Sequence, residues 1–241
     1  MPARPLPTLL VAALVGLGAS ACSSTEQPSA TTVTPDRPVI QPGAPGEAST
    51  THTGPIAIPV EQPTDADVLF VKSMIVHHAQ AIEMVDLAED GLEDRQVVAL
   101  AERIRAAQGP EVGAMAAWLA EQDELVPPEA ADVGVDVEAL GGELGARPRG
   151  GGHAHATGGQ ETMAGMASPE QLERLGSARG QEADLLFLEL MTAHHEGALD
   201  MIDQHGAGGL DVRAREMADE MSVEQTAEIG RMAELRDRIL G

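Results

Sequence analysis

An internal repeat constrains the fold of this chain more than any other feature of its sequence. The segment DVLFVKSMIVHHAQAIEMVD at 67–86 aligns without gaps with DLLFLELMTAHHEGALDMID at 184–203, an offset of 117 residues. The same offset continues into the next stretch of sequence, where Glu111 matches Glu228. Such self-similarity indicates two copies of one supersecondary unit, each of which needs the other to bury its apolar face.

Each copy has the pattern of two helices joined by a short turn that contains glycine. Capping residues, glycines and prolines predict helices, the third interrupted near 176–180, over about 65–90, 94–121, 168–205 and 211–240. Helices joined by short turns pack as antiparallel neighbours. The sequence therefore predicts an all-α domain at 64–241, an antiparallel four-helix bundle built from hairpins 64–121 and 168–241 and joined by the Gly- and His-rich loop 122–167.

The region before the repeat has a different composition. Residues 1–21 combine a basic residue, a short apolar stretch and small residues, which is the pattern of a secretory signal peptide. Cys22 follows directly and resembles the acylated cysteine of bacterial lipoproteins, although plain secretion by cleavage at the same bond is the alternative. Residues 22–63 are rich in Pro, Thr, Ser and Gly and are predicted to form a disordered tether. We therefore expect an exported protein, lipid-anchored at the outer face of the cell membrane.

Charge and cysteine content exclude several classes of function. The chain carries 39 acidic and 15 basic residues and a net charge of −24. A nucleic-acid partner requires a basic face, so none is expected. Because Cys22 is the only cysteine and is assigned to the anchor, zinc–thiolate sites and iron–sulfur clusters are excluded.

Two adjacent histidines in each copy are predicted to face inward. His77 and His78, like His194 and His195, fall on two neighbouring apolar stripes of a helix. The solvent side of the first helix is expected to carry Lys72, Ser73, Gln80 and Glu83. Four methionines share the inward seam: Met74, Met84, Met191 and Met201. Imidazole and thioether ligands together suit Cu(I), so the sequence predicts a metal site inside the bundle.

Polar residues also occupy the inward seam of the second and fourth helices. Glu111 and Glu228 are expected to hold the histidines in place rather than to bind the ion directly, and Gln108 and Gln225 to form structural hydrogen bonds. The loop adds four auxiliary candidates for metal binding: His153, His155, Met163 and Met166.

These motifs resemble those of the DUF305 family. The pattern F-x3-M-x2-HH-x2-A-x2-M occurs at 70–84 and 187–201, and MAGMAS at 163–168 is similar to the family segment before its second half. The resemblance covers about 64–241 and implies a ferritin-like four-helix bundle. Because some members bind copper or silver outside the cytoplasm, it implies copper as the ion, with other divalent metals left open. The long Gly-rich segment 122–162 departs from the family pattern.

Three functional hypotheses follow from these residues. The main one is a cell-envelope lipoprotein, without catalytic residues, that sequesters or transfers copper; its expected partners are the metal ion and the membrane. The second is a ferritin-like metal-dependent oxidase that uses the glutamates and histidines, although no helix has the Glu-x-x-His motif of di-iron bundles. The third is a metal-free envelope interaction module in which His–Glu pairs are structural hydrogen bonds.

Overall fold

The computed structural model describes residues 30–44, 46–59, 62–146 and 163–241. The chain divides into two compact units, Met1–Val60 and Glu61–Gly241. The predicted signal peptide and Cys22 lie outside the described residues, as do the loop residues His153 and His155.

The first unit differs from the predicted tether because its described residues contain four short strands. Strand β1 (Ala30–Val33) pairs antiparallel with β4 (Ile56–Pro59), and β2 (Val39–Gln41) pairs antiparallel with β3 (Thr50–His52). All three side chains of β2 are exposed, so this ribbon buries little apolar surface. Isolated two-stranded ribbons are only marginally stable in water. The strands are rich in β-branched residues, which favour extended backbone.

The second unit contains six helices among its described residues. They are α1 (Asp65–Ala88), α2 (Arg95–Glu121), α3 (Glu129–Asp132), α4 (Pro169–Ser177), α5 (Gln181–Gly206) and α6 (Val212–Leu240). The four long helices α1, α2, α5 and α6 form the predicted four-helix bundle, in which α1 packs on α2, α5 on α6, and α1 on α5. The predicted break near 176–180 separates α4 from α5, and the predicted loop contains the one-turn helix α3.

Matched aspartates tie each hairpin to the other. Asp184 accepts hydrogen bonds from the backbone N–H groups of residues 93 and 94, just before α2, at 3.0 Å each. Asp67 accepts the corresponding bonds from residues 210 and 211, just before α6, at 3.1 and 3.2 Å. Both carboxylates are buried. Because the N–H groups at a helix start have no partner within the helix, these bonds stabilise the assembly of the two hairpins.

The apolar core consists of two clusters at opposite ends of the bundle. One cluster combines the C-terminal half of α1 with the N-terminal half of α5, and the other combines the opposite halves. Met84 and Met191 belong to the first cluster, and Met74 and Trp118 to the second. Between the two clusters each long helix carries polar residues, so the core has a polar layer at mid-height.

Helix α1 has the length and hydropathy of a membrane-spanning helix, but 61% of its most apolar window is buried inside the bundle. This burial is what a core helix shows, so its composition is weak evidence for a membrane span.

Candidate metal centre

The polar layer is formed by matched residues from all four long helices. Seven of its eight members are no more than 3% exposed, and Glu111 is half-buried. Its members are His77, His78, Gln108, Glu111, His194, His195, Gln225 and Glu228. Since polar groups away from water need partners, the contacts of these side chains define what the layer can bind.

A histidine and a glutamate pair across the two helices of each hairpin. His78 Nε2 lies 2.8 Å from Glu111 Oε2, and His195 Nε2 lies 2.7 Å from Glu228 Oε2. The predicted hydrogen bonding of glutamate to histidine is therefore present in both copies. When the carboxylate is ionised it can only accept, so in that state Nε2 donates in each pair and Nδ1 keeps its lone pair.

The other two histidines meet at the centre of the bundle, between α1 and α5. The ring centroids of His77 and His194 are 3.8 Å apart, with the planes tilted by 41°. His77 Nε2 lies 3.1 Å from the carbonyl oxygen of Ala164. A carbonyl accepts, so Nε2 of this ring also donates and its Nδ1 keeps the lone pair.

Each of the four rings has one buried nitrogen without a hydrogen-bond partner among the described residues. These atoms are Nδ1 of His77, His78 and His195, and Nε2 of His194. Leaving a buried polar atom unpaired costs about 1–3 kcal/mol, so four in one layer require an explanation. In metal sites a ligating histidine donates its other ring N–H to a carboxylate or a backbone carbonyl, as three of these rings do.

Burial keeps the imidazoles of His77, His78 and His194 neutral. It lowers the pKa of His77 and of His78 to about 3 each, and neighbouring histidines lower both values further by charge repulsion. Burial also places the pKa of His194 well below its usual value. At neutral pH the unpaired nitrogens of these three rings therefore carry lone pairs, as metal ligation requires.

The α2–α6 side of the layer is acidic. Burial raises the pKa of Glu111 to about 7, and the nearby carboxylate of Glu228 raises it further, although a hydrogen bond with Glu224 acts in the opposite direction. Burial raises the pKa of Glu224, and the nearby carboxylates of Glu111 and Glu228 raise it further. Arg103 Nε lies 3.5 Å from Glu228 Oε1, at the edge of this group of acids.

The opposite side is covered by residues 163–167, which we call the strap. The side chain of Gln80 makes two hydrogen bonds to Ala167: its Nε2 donates to the carbonyl at 3.0 Å, and its Oε1 accepts from the N–H at 2.7 Å. The prediction that Gln80 faces solvent is therefore wrong, because the strap covers it. Helical periodicity reflects packing between helices and does not report a loop that is distant in sequence.

The strap also lies against the backbone of α5. Gly165, with φ of +76°, packs on the turn of α5 that contains His194. A Cβ atom at Gly197 would overlap the carbonyl of Ala164. Gly197 occupies the repeat position of Gln80. The first copy therefore binds the strap through a side chain, and in the second copy the missing side chain leaves room for the strap backbone.

The methionines do not lie in the polar layer itself. Met74, Met84 and Met191 are fully buried in the apolar clusters, and Met201 is partly buried beside one of them. The strap residues Met163 and Met166 are also partly buried. Metal binding by these thioethers remains a prediction. Among the described residues, no group of three His, Cys, Asp or Glu side chains already converges as a metal site does.

The layer's glutamines differ from expectation. Oε1 of Gln108 and Oε1 of Gln225 are buried and have no partner among the described residues. These two oxygens therefore take no part in the predicted structural hydrogen bonds, and the role of the amide nitrogens stays a prediction. The two atoms occupy matched positions, so the unpaired set follows the repeat.

His205 is buried but lies outside the polar layer. Its Nε2 is 2.7 Å from Asp67 Oδ1, and its ring stacks on Phe70 with centroids 4.2 Å apart. Its repeat position holds alanine, so it has no counterpart in the first hairpin.

Comparison with known proteins agrees with this architecture. The family model described as "Domain of unknown function (DUF305)" matches residues 67–236. This chain belongs to the DUF305 family. No curated protein matches the sequence.

Solved structures share the fold. A DUF305 protein from Streptomyces coelicolor, described as secreted, is 28% identical and has a TM-score of 0.54; the match covers 72% of this chain and 93% of that one. A DUF305 fragment from Deinococcus radiodurans is 26% identical with a TM-score of 0.55, covering 74% and 99%. CopM in the Cu(II)-bound form is 22% identical with a TM-score of 0.52, covering 71% and 96%. At 22% identity, the similarity to CopM shows a shared fold and nothing more.

Proposed function

We propose that the polar layer binds a soft or borderline transition metal, with copper as Cu(I) the favoured ion, for sequestration or transfer in the cell envelope. The supporting observation is the set of four buried imidazole nitrogens without partners, one on each of His77, His78, His194 and His195. Neutral imidazole suits copper, and thioethers such as Met74 and Met191 would add soft ligands. The solved structures that share the fold include CopM in Cu(I)- and Ag-bound forms.

The carboxylates Glu111 and Glu228 act as holders of the flanking rings in this proposal. Each accepts from Nε2, which fixes the tautomer and aims Nδ1 away from the carboxylate. Because no three such side chains converge among the described residues, the rings would have to move together to share an ion. The ion is cargo, and its binding energy is what draws the rings together.

A Cu(I) titration against a chromophoric competing chelator tests the proposal. We expect tight binding by the wild type and a loss of at least about a hundredfold in affinity when His77, His78, His194 and His195 are replaced by Asn. The matched control is His205→Asn, which removes a buried histidine outside the layer. Equal affinity of the quadruple variant and the wild type would contradict the proposal. An unchanged melting temperature with any metal would favour the metal-free interaction module, because a ligand specific to the folded state raises it.

We also propose that the chain is exported and anchored through Cys22 at the outer face of the cell membrane. The support is the signal-like segment 1–21 together with a family neighbour described as secreted. Labelling with a radioactive fatty acid is expected to mark the wild type and not Cys22→Ser, which should leave the membrane fraction. An unlabelled wild type found outside the membrane would instead favour plain secretion.

A further inference from the structure

We propose that the strap, residues 163–167, is the passage through which an ion reaches the polar layer, and that Gln80 is the latch that keeps it closed. This inference rests on the proposed function, since it concerns access to the same site. Its basis is the position of the strap over the two central histidines and the small number of bonds that hold it there.

The polar layer has no open route in the described structure. The rings of His77, His78, His194 and His195 are at most 1% exposed. Apolar clusters close the layer toward both ends of the bundle. An ion can therefore reach the imidazoles only after some covering element moves.

The strap lies directly over the central histidines. Its Ala164 carbonyl accepts from His77 Nε2 at 3.1 Å. A Cβ atom built on Gly165 would lie 3.0 Å from the Cα of His194, so the strap backbone touches that turn of α5. Lifting the strap would uncover both rings at once and free Nε2 of His77 from its acceptor.

Among the described residues, three hydrogen bonds join the strap to the helices. Gln80 supplies two, both to Ala167, and His77 supplies one to Ala164. Within the strap itself a backbone bond joins the N–H of Met166 to the carbonyl of Met163 at 3.4 Å, which is long. A segment held by so few bonds, without a helix or sheet ladder, opens more readily than the helices around it.

The repeat supports a specialised role for the latch. Gln80 and Gly197 occupy matched positions in otherwise similar helices. The glutamine grips one end of the strap, and the glycine allows its backbone to approach α5 closely. Hydrogen bonds to the strap account for the glutamine, and the close approach of the strap backbone accounts for the glycine.

Exchange kinetics of Cu(I) between the protein and a chromophoric chelator test this inference. Gln80→Ala removes the two latch bonds, and Gly197→Ala displaces the strap without removing a polar group. We expect loading and unloading both to accelerate by about tenfold or more, the change that two net hydrogen bonds make in an opening equilibrium. The dissociation constant should change by less than about threefold, because the closed state is weakened equally with and without the ion. Gln204→Ala, an exposed glutamine on α5, is the matched control and should keep wild-type rates.

Circular dichroism is used to check that each variant is folded. One folded variant, Gln80→Ala or Gly197→Ala, is sufficient for the test. Wild-type rates in the folded variants would overturn the inference while leaving the proposed function intact. Acceleration by Glu111→Gln alone would also overturn it, because it would assign entry to the half-buried acidic side. A wild type that does not bind Cu(I) would overturn both the proposed function and the inference.

Discussion

The two hairpins of the bundle carry the same polar layer in different surroundings. In both, a buried histidine pairs with a glutamate of the neighbouring helix, at 2.8 Å in the first hairpin and 2.7 Å in the second. In both, an aspartate near the start of the first helix caps the second helix of the other hairpin. The repeat has thus kept the inward residues and the links between the halves.

The surroundings of the matched glutamates differ. The Glu228 side chain is 4% exposed and has Arg103 beside it, whereas the Glu111 side chain is 25% exposed and has a pKa raised to about 7. The strap likewise meets Gln80 in one copy and Gly197 in the other. A duplicated pattern therefore keeps its ligand candidates while the groups around them become specialised.

The largest expected difference between the copies lies in the two capping aspartates. Asp67→Ala should lower the free energy of unfolding by about 3–5 kcal/mol, because it also leaves His205 buried without its partner. Asp184→Ala, which has no such histidine, should lower it by about 1–3 kcal/mol through unpaired backbone N–H groups. Urea unfolding at pH 7 measures both.

The double variant Asp67→Ala/His205→Ala is the control for this comparison. It removes the buried histidine together with its partner. Its loss of stability should therefore be smaller than the sum of the losses of Asp67→Ala and His205→Ala measured separately. Equal losses for Asp67→Ala and Asp184→Ala would show that the His205 pair contributes nothing and that the two ends of the bundle are equivalent.

The glutamates should show a smaller difference between the copies, with the larger loss of stability in the second hairpin. Glu228→Ala is expected to lower the free energy of unfolding by about 2–3 kcal/mol, since it leaves His195 unpaired in a fully buried position. Glu111→Ala should lower it by about 1 kcal/mol, because water can reach the half-buried site and replace the carboxylate. Thermal unfolding of the two variants without metal measures which of them is less stable. A larger loss of stability for Glu111→Ala would contradict the argument from burial.

The metal-free protein should lose stability as the pH falls below about 6.5. The folded-state pKa of His77 and of His78 is about 3, below the ordinary value of 6.5, so the unfolded chain takes up protons first. Each histidine then removes up to about 1.4 kcal/mol of stability per pH unit between those values. The measurement is the urea midpoint from pH 7 to pH 4. The variant His77→Asn/His78→Asn should show a shallower decline, and an identical decline would indicate that these rings are not buried neutral.

The smallest expected effects are at the starts of the matched helices α1 and α5. Thr64 caps α1 with a side-chain hydrogen bond, and Thr64→Ala should cost about 1 kcal/mol. Gly180 precedes α5 without a side-chain cap and has φ of +63°, so Gly180→Ala should cost about 1 kcal/mol through backbone strain instead. Adding a capping serine at Gly180 should therefore bring no gain in melting temperature, whereas a gain would contradict the importance of the positive φ.

The sequence predicted the features that depend on local spacing. Helix starts followed from caps such as Thr64 and Ser168, and the inward position of the histidines and glutamates followed from helical periodicity. The repeat alone then paired each residue with its counterpart in the other hairpin. These features are encoded within one helix or one hairpin.

The features that the sequence did not predict depend on contacts between distant segments. Gln80 lies 87 residues from the strap that buries it, and no periodic pattern reports such a contact. Strand β2 pairs with β3 through backbone atoms while its own side chains are exposed, so it leaves no apolar alternation. The mismatch between Gln80 and Gly197 in the repeat was the available signal, since a specialised contact is what separates two otherwise matched positions.

X-ray absorption at the copper edge of the Cu(I)-loaded protein tests the central claim most directly. We expect imidazole nitrogen among the ligands, with the outer scattering of histidine rings, and its loss in the variant His77→Asn/His78→Asn/His194→Asn/His195→Asn. A spectrum with sulfur ligands alone, unchanged in that variant, would contradict the claim that the polar layer holds the ion.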